Sequence, residues 1–182
     1  VWFMRETNSI CTGCARGCNI TISSRENKIY RQTPRENNEV NSSWMCDSGR
    51  MQYHLLESSG RLTEPMVKKG KSHEVVDWPE AINHVVSGLS KFSGDEIAII
   101  GSARMTNEEL YLLKTLSETL NVDIVDIIKV EGEGDEYLSH KDKRPNSNGA
   151  KAILNLRSPG SKLNTIKKRI KDGTIKALLV YG

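Results

Sequence analysis

Cys11-Thr-Gly-Cys14-Ala-Arg-Gly-Cys18, completed much later by Trp44-Met-Cys46, decides how the first quarter of this chain is read. The spacing is Cys11-x2-Cys14-x3-Cys18-x27-Cys46, and these are all the cysteines present. A close triplet can hold three corners of an iron–sulfur cube while a distant fourth thiolate takes the last, so the pattern favours a [4Fe-4S] cluster. Two alternatives stand beside it. Structural zinc usually comes as two separated knuckles, whereas the second half here is a single cysteine, and His54 lies at a distance that fits no zinc pattern. Two disulfides would use four cysteines but suit small secreted domains, and Val1-Trp-Phe-Met-Arg5 is too short and too soon followed by polar residues to be a signal peptide. Four reduced cysteines without such a signal argue for a reducing compartment.

The neighbours of the cysteines suit the cluster. Gly13 and Gly17 allow close backbone approach and positive φ, so that N–H groups can aim at sulfur. Arg16, Arg35 and Arg50 are candidates to offset thiolate charge, and Trp44 and Met45 to shield the site from water. Asn19–Ser24 and Lys28–Thr33 alternate like strands, with Arg25-Glu-Asn27 as the turn of a hairpin. That hairpin brings the chain back, and a polar loop from Pro34 to Ser43 then delivers Cys46.

With 182 residues the chain can hold one domain and part of another, burying about 70% of its unfolded surface. No apolar run approaches the ~18 residues of a membrane helix, so no direct membrane insertion is expected. The net charge of +3 is mild. Lys162, Lys167, Lys168, Lys171 and Lys176 cluster late but with few aromatics, which reads as a solvated helix face and not as a nucleic-acid surface. Val1-Trp-Phe reads as a strand already under way and Ala177-Leu-Leu-Val-Tyr181 as a strand with nothing after it. The chain is therefore expected to be an internal piece of a larger subunit.

After about Gly60 the pattern becomes α/β. Asp77-Trp-Pro-Glu80 is a capping box variant opening a helix to about Phe92, with Ala81, Ile82, Val85, Val86 and Leu89 as its apolar stripe. Ile97–Ile100 reads as a buried parallel strand, Thr106-Asn-Glu-Glu109 caps a helix to about Leu120, and Asp123–Ile127 is the next strand. A helix over 163–172 stops at Gly173 before the final strand. Alternation of this kind implies right-handed βαβ units and a parallel sheet. The loop Gly101-Ser-Ala-Arg-Met-Thr106 lacks both G-x-G-x-x-G and a Walker lysine, and Gly132-Glu-Gly134 is too acidic for phosphate. His54, His73, His84 and His140 share no ligand spacing and read as surface or packing residues.

The cysteine stretch with Trp44-Met-Cys46-Asp-Ser-Gly-Arg50 resembles the Fe4S4 domain of molybdopterin oxidoreductases. Within that superfamily the chain is most similar to the NuoG-type component of bacterial NADH-quinone oxidoreductase, through Pro34-Arg35-x-Asn37, Val40-Asn41, Gly134-Asp135-Glu136 and Asp142-Lys143-x-Pro145-Asn146. The resemblance implies a small β-rich [4Fe-4S] domain over 1–65, then an incomplete parallel-sheet, Rossmann-like α/β domain over 66–182. It implies Cys11, Cys14, Cys18 and Cys46 as cluster ligands, with Gly13, Gly17, Arg16, Trp44 and Ser48 around them. It further implies an electron-transfer or structural role without bond chemistry of its own, in a complex I that carries electrons from NADH to quinone. The expected partners are other peripheral-arm subunits of that membrane-bound complex, on its cytoplasmic side, with no molybdopterin bound. Catalytic molybdenum relatives typically carry a lysine where this chain has Ser48, and many ligate the metal through a cysteine or selenocysteine in a region matching 128–150, which has none here. The alternative is a catalytic subunit of formate dehydrogenase or nitrate reductase type, binding molybdenum or tungsten.

Overall fold

The computed structural model describes residues 2–182 and contains two sheet-based units joined through loops. In the first, β1 (Arg5–Ile10), β2 (Asn19–Arg25) and β3 (Lys28–Pro34) form an antiparallel meander in the order β1-β2-β3. The β2–β3 turn is the two-residue pair Glu26-Asn27, with φ of 50° and 62°. Positive φ at both central positions is a type I′ feature, whose twist matches the flanking strands. The expected hairpin is therefore present. The expected opening strand is not: residues 2–4 lie outside any strand, β1 begins at Arg5, and Val1 lies outside the described residues. A short helix α1 (Asp47–Met51) and a 3-10 turn (Gln52–Glu57) close this unit.

A two-stranded hairpin, β4 (Met66–Lys69) with β5 (Ser72–Val75), leads into helix α2 (Trp78–Leu89). Asp77 caps α2 by accepting from the Glu80 amide at 2.8 Å, as its sequence demands. The apolar stripe does not bury as expected. Ile82, Val85 and Val86 are exposed, and of the five stripe positions Leu89 alone packs against a core cluster.

The second sheet is parallel, in the order β7-β6-β8, from β6 (Ile97–Ser102), β7 (Ile124–Ile128) and β8 (Ala177–Val180). Helix α3 (Asn107–Thr119) crosses from β6 to β7; α4 (Ser147–Ile153) and α5 (Leu163–Lys171) lie between β7 and β8. The Thr106/Glu109 capping box is complete at the head of α3, and Gly173 follows α5 with φ 78°. Successive residues of a strand face opposite sides of the sheet. Ile97 and Ile99 accordingly pack with Leu113 of α3, and Ala98 packs with Ile166 of α5. The sheet is thus covered on both faces, which is why β6 is apolar throughout its first four residues.

Asp126 sits in the middle of β7 and is fully buried. Its carboxylate accepts from the amides of Ile127 (2.8 Å), Gly160 (2.9 Å) and Lys162 (2.6 Å). It therefore ties the loop before α5 to the central sheet. Asp126→Ala leaves one buried and two partly buried amides without partners, and chemical unfolding should show a loss of about 3 kcal/mol.

Candidate metal centre

Cys11 follows β1 directly and Cys18 precedes β2 directly, so the hairpin holds both ends of the cysteine loop. The Cys11 amide donates to the Cys18 carbonyl at 2.8 Å and closes that loop. Gly17 takes φ 66° within it. Cys46 arrives through the polar loop, which is ordered by a single buried side chain, Asn41. Its Oδ1 accepts from the Asn19 amide at 2.9 Å, and its Nδ2 donates to the carbonyls of Arg35, Ser42 and Trp44. Asn41 thereby welds the start of β2 to the approach of the fourth cysteine. Cys46 caps α1, its Sγ accepting from the Gly49 amide at 3.4 Å. Gln52 then fixes α1 against the cysteine loop through Thr12 at 2.9 Å.

All four cysteines line one cavity of about 270 Å³, together with Gly13, Gly17, Met45, Ser48 and Gly49. None is in a disulfide. Cys11, Cys14 and Cys18 are buried and Cys46 partly so. Among the described residues, no three His, Cys, Asp or Glu side chains converge on a position for one metal ion. Tetrahedral zinc, with Zn–S near 2.3 Å, would draw its sulfurs to about 3.8 Å from one another. A chamber several times the ~30 Å³ share of one water, with sulfurs spread around its wall, suits a polynuclear guest instead.

The electrostatics point the same way. Burial pushes the Cys18 thiol up to about 11, and Cys11, Cys14 and Cys46 add to the rise while Arg16 opposes it. Cys11 is also raised, chiefly by burial, against a hydrogen bond from the Gly13 backbone and the charge of Arg104. Four thiolates this close and this dry repel one another, and a cationic iron core would relieve that repulsion. Space at Gly49 is tight as well. A Cβ added there would lie 2.9 Å from Met45 Cε, 3.2 Å from Cys11 Sγ and 3.5 Å from Cys46 Sγ.

The structure sorts the remaining expected neighbours. Gly13, Gly17, Met45 and Ser48 line the cavity. Trp44 does not: it is 64% exposed, because the Asn41 clamp holds its backbone and turns Met45, 5% exposed, inward instead. Arg16 acts on Cys18 from a distance while its guanidinium donates to the carbonyls of Asp135 (3.0 Å) and Glu136 (2.8 Å). Arg35 binds Asn19 at 2.7 Å and does not line the cavity, nor does Arg50.

One wall is not assigned to the site by the sequence. Arg104 from the loop after β6, and Leu138, Ser139 and Lys143 from the loop after β7, complete the cavity. The two units lock together there. Arg104 donates to the Thr12 carbonyl at 3.1 Å, and the Ala15 amide donates to the Asp142 carbonyl at 3.0 Å. Asp135 folds its loop by accepting from the amides of Tyr137, Leu138 and Ser139, which holds its carboxyl below the usual carboxylate range.

A thiol-lined chamber for a cube, sealed by the loops of a parallel α/β sheet, defines an iron–sulfur oxidoreductase. Comparison with known proteins agrees. Residues 61–179 match the molybdopterin oxidoreductase family, and residues 4–54 match a domain described as "NADH-ubiquinone oxidoreductase NDSU1/NuoG-like, 4Fe-4S domain". The chain belongs to the molybdopterin oxidoreductase family and carries a 4Fe-4S domain. Among curated proteins it is 34% identical over 123 residues to F420-dependent formate dehydrogenase 2 subunit alpha of Methanococcus maripaludis, covering 65% of this chain and 18% of that one. Two proteins named "Putative formate dehydrogenase" are also similar: one of Staphylococcus haemolyticus, 31% identical over 129 residues, and one of Staphylococcus aureus, 30% identical over 128. Each match covers 66% of this chain and 13% of the relative. The chain thus spans less than a fifth of the length of these relatives. The expected superfamily is shown; the NuoG type in particular is not, since these relatives bear the name formate dehydrogenase.

Gly49→Ala should lower iron content per chain and absorbance near 400 nm by crowding two sulfurs. Trp44→Ala, on the outside of the site, should leave both unchanged.

Proposed function

We propose that this chain is the cluster-bearing part of a molybdopterin-dependent oxidoreductase of the formate dehydrogenase kind. The similarity, 34% identical over 123 residues, to a formate dehydrogenase alpha subunit is the observation that carries this reading. It favours the alternative over the expectation that complex I is the setting and that molybdopterin is absent. The four ligands are Cys11, Cys14, Cys18 and Cys46, and the boundary between the units falls near residue 65. The cluster supplies one-electron transfer when bound. The chain's residues supply its enclosure: Met45 and Leu138 limit water, and the Gly13 and Gly49 amides hydrogen-bond sulfur.

A second cavity supports this reading. A crevice of about 470 Å³ lies beyond the carboxyl ends of β6 and β8, lined by Met105, Glu109, Leu113 and Tyr181. Open α/β sheets bind their ligands at such edges. Arg104 lines both this crevice and the cysteine cavity. A cofactor bound there would neighbour the cluster through one side chain, which suits electron passage between the two.

A second reading, the NuoG-type component of an NADH-quinone oxidoreductase, is supported by the match of residues 4–54 to the 4Fe-4S domain of that description. Ser48, standing where catalytic molybdenum relatives typically carry lysine, also favours it. On that reading the chain docks to other peripheral-arm subunits on the cytoplasmic side of the membrane. No helix among the described residues is long and apolar enough to cross a membrane.

Metal analysis of the full-length protein separates the readings. Stoichiometric molybdenum or tungsten with formate-dependent dye reduction is expected; iron alone, with no formate activity, would favour the NuoG type. In either case Cys46→Ser should bleach the brown chromophore, and a spectrum like the wild type's would remove Cys46 from the ligand set.

A further inference from the structure

The cysteine cavity holds two formal charges besides its sulfurs, and both are positive. Arg104 and Lys143 line it; no Asp or Glu does. Neither belongs to the unit that carries the cysteines. Arg104 comes from the loop after β6 and Lys143 from the loop after β7, and both reach across to a site built by residues 11–49.

Lys143 is held in place and not left to solvent. Its stem runs over Gly132, where an added Cβ would lie 2.9 Å from Lys143 Cε. Its ammonium donates to the Glu133 carbonyl and, at 2.7 Å, to the Ser139 hydroxyl. Its amide is fixed to the Val130 carbonyl at 2.9 Å. Two of the three ammonium protons are taken by neutral oxygens and no carboxylate neutralises the charge, so the cation remains effective toward the cavity. Behind it stands Arg144, whose Nε is buried without a partner. Its guanidinium is held below its usual range by burial and by the charge of Arg104, which together outweigh the opposing charge of Asp142. Cations are gathered against their own repulsion here, which is sustainable opposite an anion. A cube ligated by four thiolates is that anion, and it gains one further negative charge when it takes up an electron.

We propose that the α/β unit sets the reduction potential of the cluster through the two cations it places at the wall, Lys143 and Arg104. The inference rests on the iron–sulfur reading above. Oxidised cluster plus one electron from a mediator dye gives reduced cluster, and a fixed cation at the wall favours the more negative product. Removing that cation makes reduction harder while leaving the ligands untouched.

The test is a redox titration of the anaerobically purified full-length protein, followed by the EPR signal of the reduced cluster. At an ambient potential equal to the wild-type midpoint, K143Q should lower the reduced-to-oxidised ratio roughly tenfold, which for a one-electron couple is about 59 mV. Its iron content and g-values should match the wild type's. K143R, which keeps the charge, should stay close to the wild-type midpoint. A K143Q midpoint equal to wild type overturns the proposal, and so does a K143R midpoint that falls as far as that of K143Q. Should K143Q fail to load iron, R104Q decides: a lowered midpoint supports the proposal and an unchanged one overturns it. A wild-type protein that is folded yet iron-free and EPR-silent would instead defeat the iron–sulfur reading itself.

Discussion

Mutual repulsion among four sulfurs in one poorly hydrated chamber is the constraint on which this structure turns. Burial raises Cys11 and Cys18, and neighbouring cysteines raise both further. The small unit has little else to hold it together. Its buried apolar cluster is Cys11, Cys18, Ile20 and Met45, so half of that core is cysteine. A domain whose core and metal site are the same atoms gains its folding free energy largely from the metal. The polar framework around it, closed by the Cys11–Cys18 backbone bond and the Asn41 clamp, fixes where the sulfurs stand but does not cancel their repulsion.

The α/β unit solves the other half of the problem. Its sheet is conventional in layering, with α3 on one face and α5 on the other. Its loops at the carboxyl edge do the specialised work. One side of Arg104 faces the cysteine cavity and another the crevice at the sheet edge. Asp135, Asp142 and Lys143 all act in the loop that seals the cluster side. These are residues of the later stretches that carry the resemblance to the NuoG type. Both functional readings accordingly use one scaffold, and differ in what occupies the crevice beside it.

Much of this is legible in the chain because it is local chemistry. The cysteine spacing, the Glu26-Asn27 turn, the Asp77 cap and the Thr106/Glu109 capping box each depend on residues a few positions apart. Trp44 misleads because adjacency to Cys46 does not say which of two neighbouring side chains points inward; Asn41, through its carbonyl bonds, decides that for Met45. The α2 stripe misleads because a helical period fixes a face and not what covers it. Arg104 and Lys143 stand in stretches the sequence singles out, but nothing local ties either to the cysteines: they join the site through a fold that brings together residues separated by 92 positions in the case of Thr12 and Arg104. Gly49 stands in the quoted motif, but only the structure shows that a Cβ there would press on Cys11 Sγ at 3.2 Å and Cys46 Sγ at 3.5 Å.

The docking of Arg16 onto the Asp135 and Glu136 carbonyls spans 119 and 120 positions. A ribosome making this protein releases all four cysteines long before it releases the segment that seals them in. For that interval the nascent thiols stand open on one side, accessible to oxidants and to competing metals. Order along the chain thus separates the cysteines from the loops that wall them: the pocket's floor is made early and its lid late.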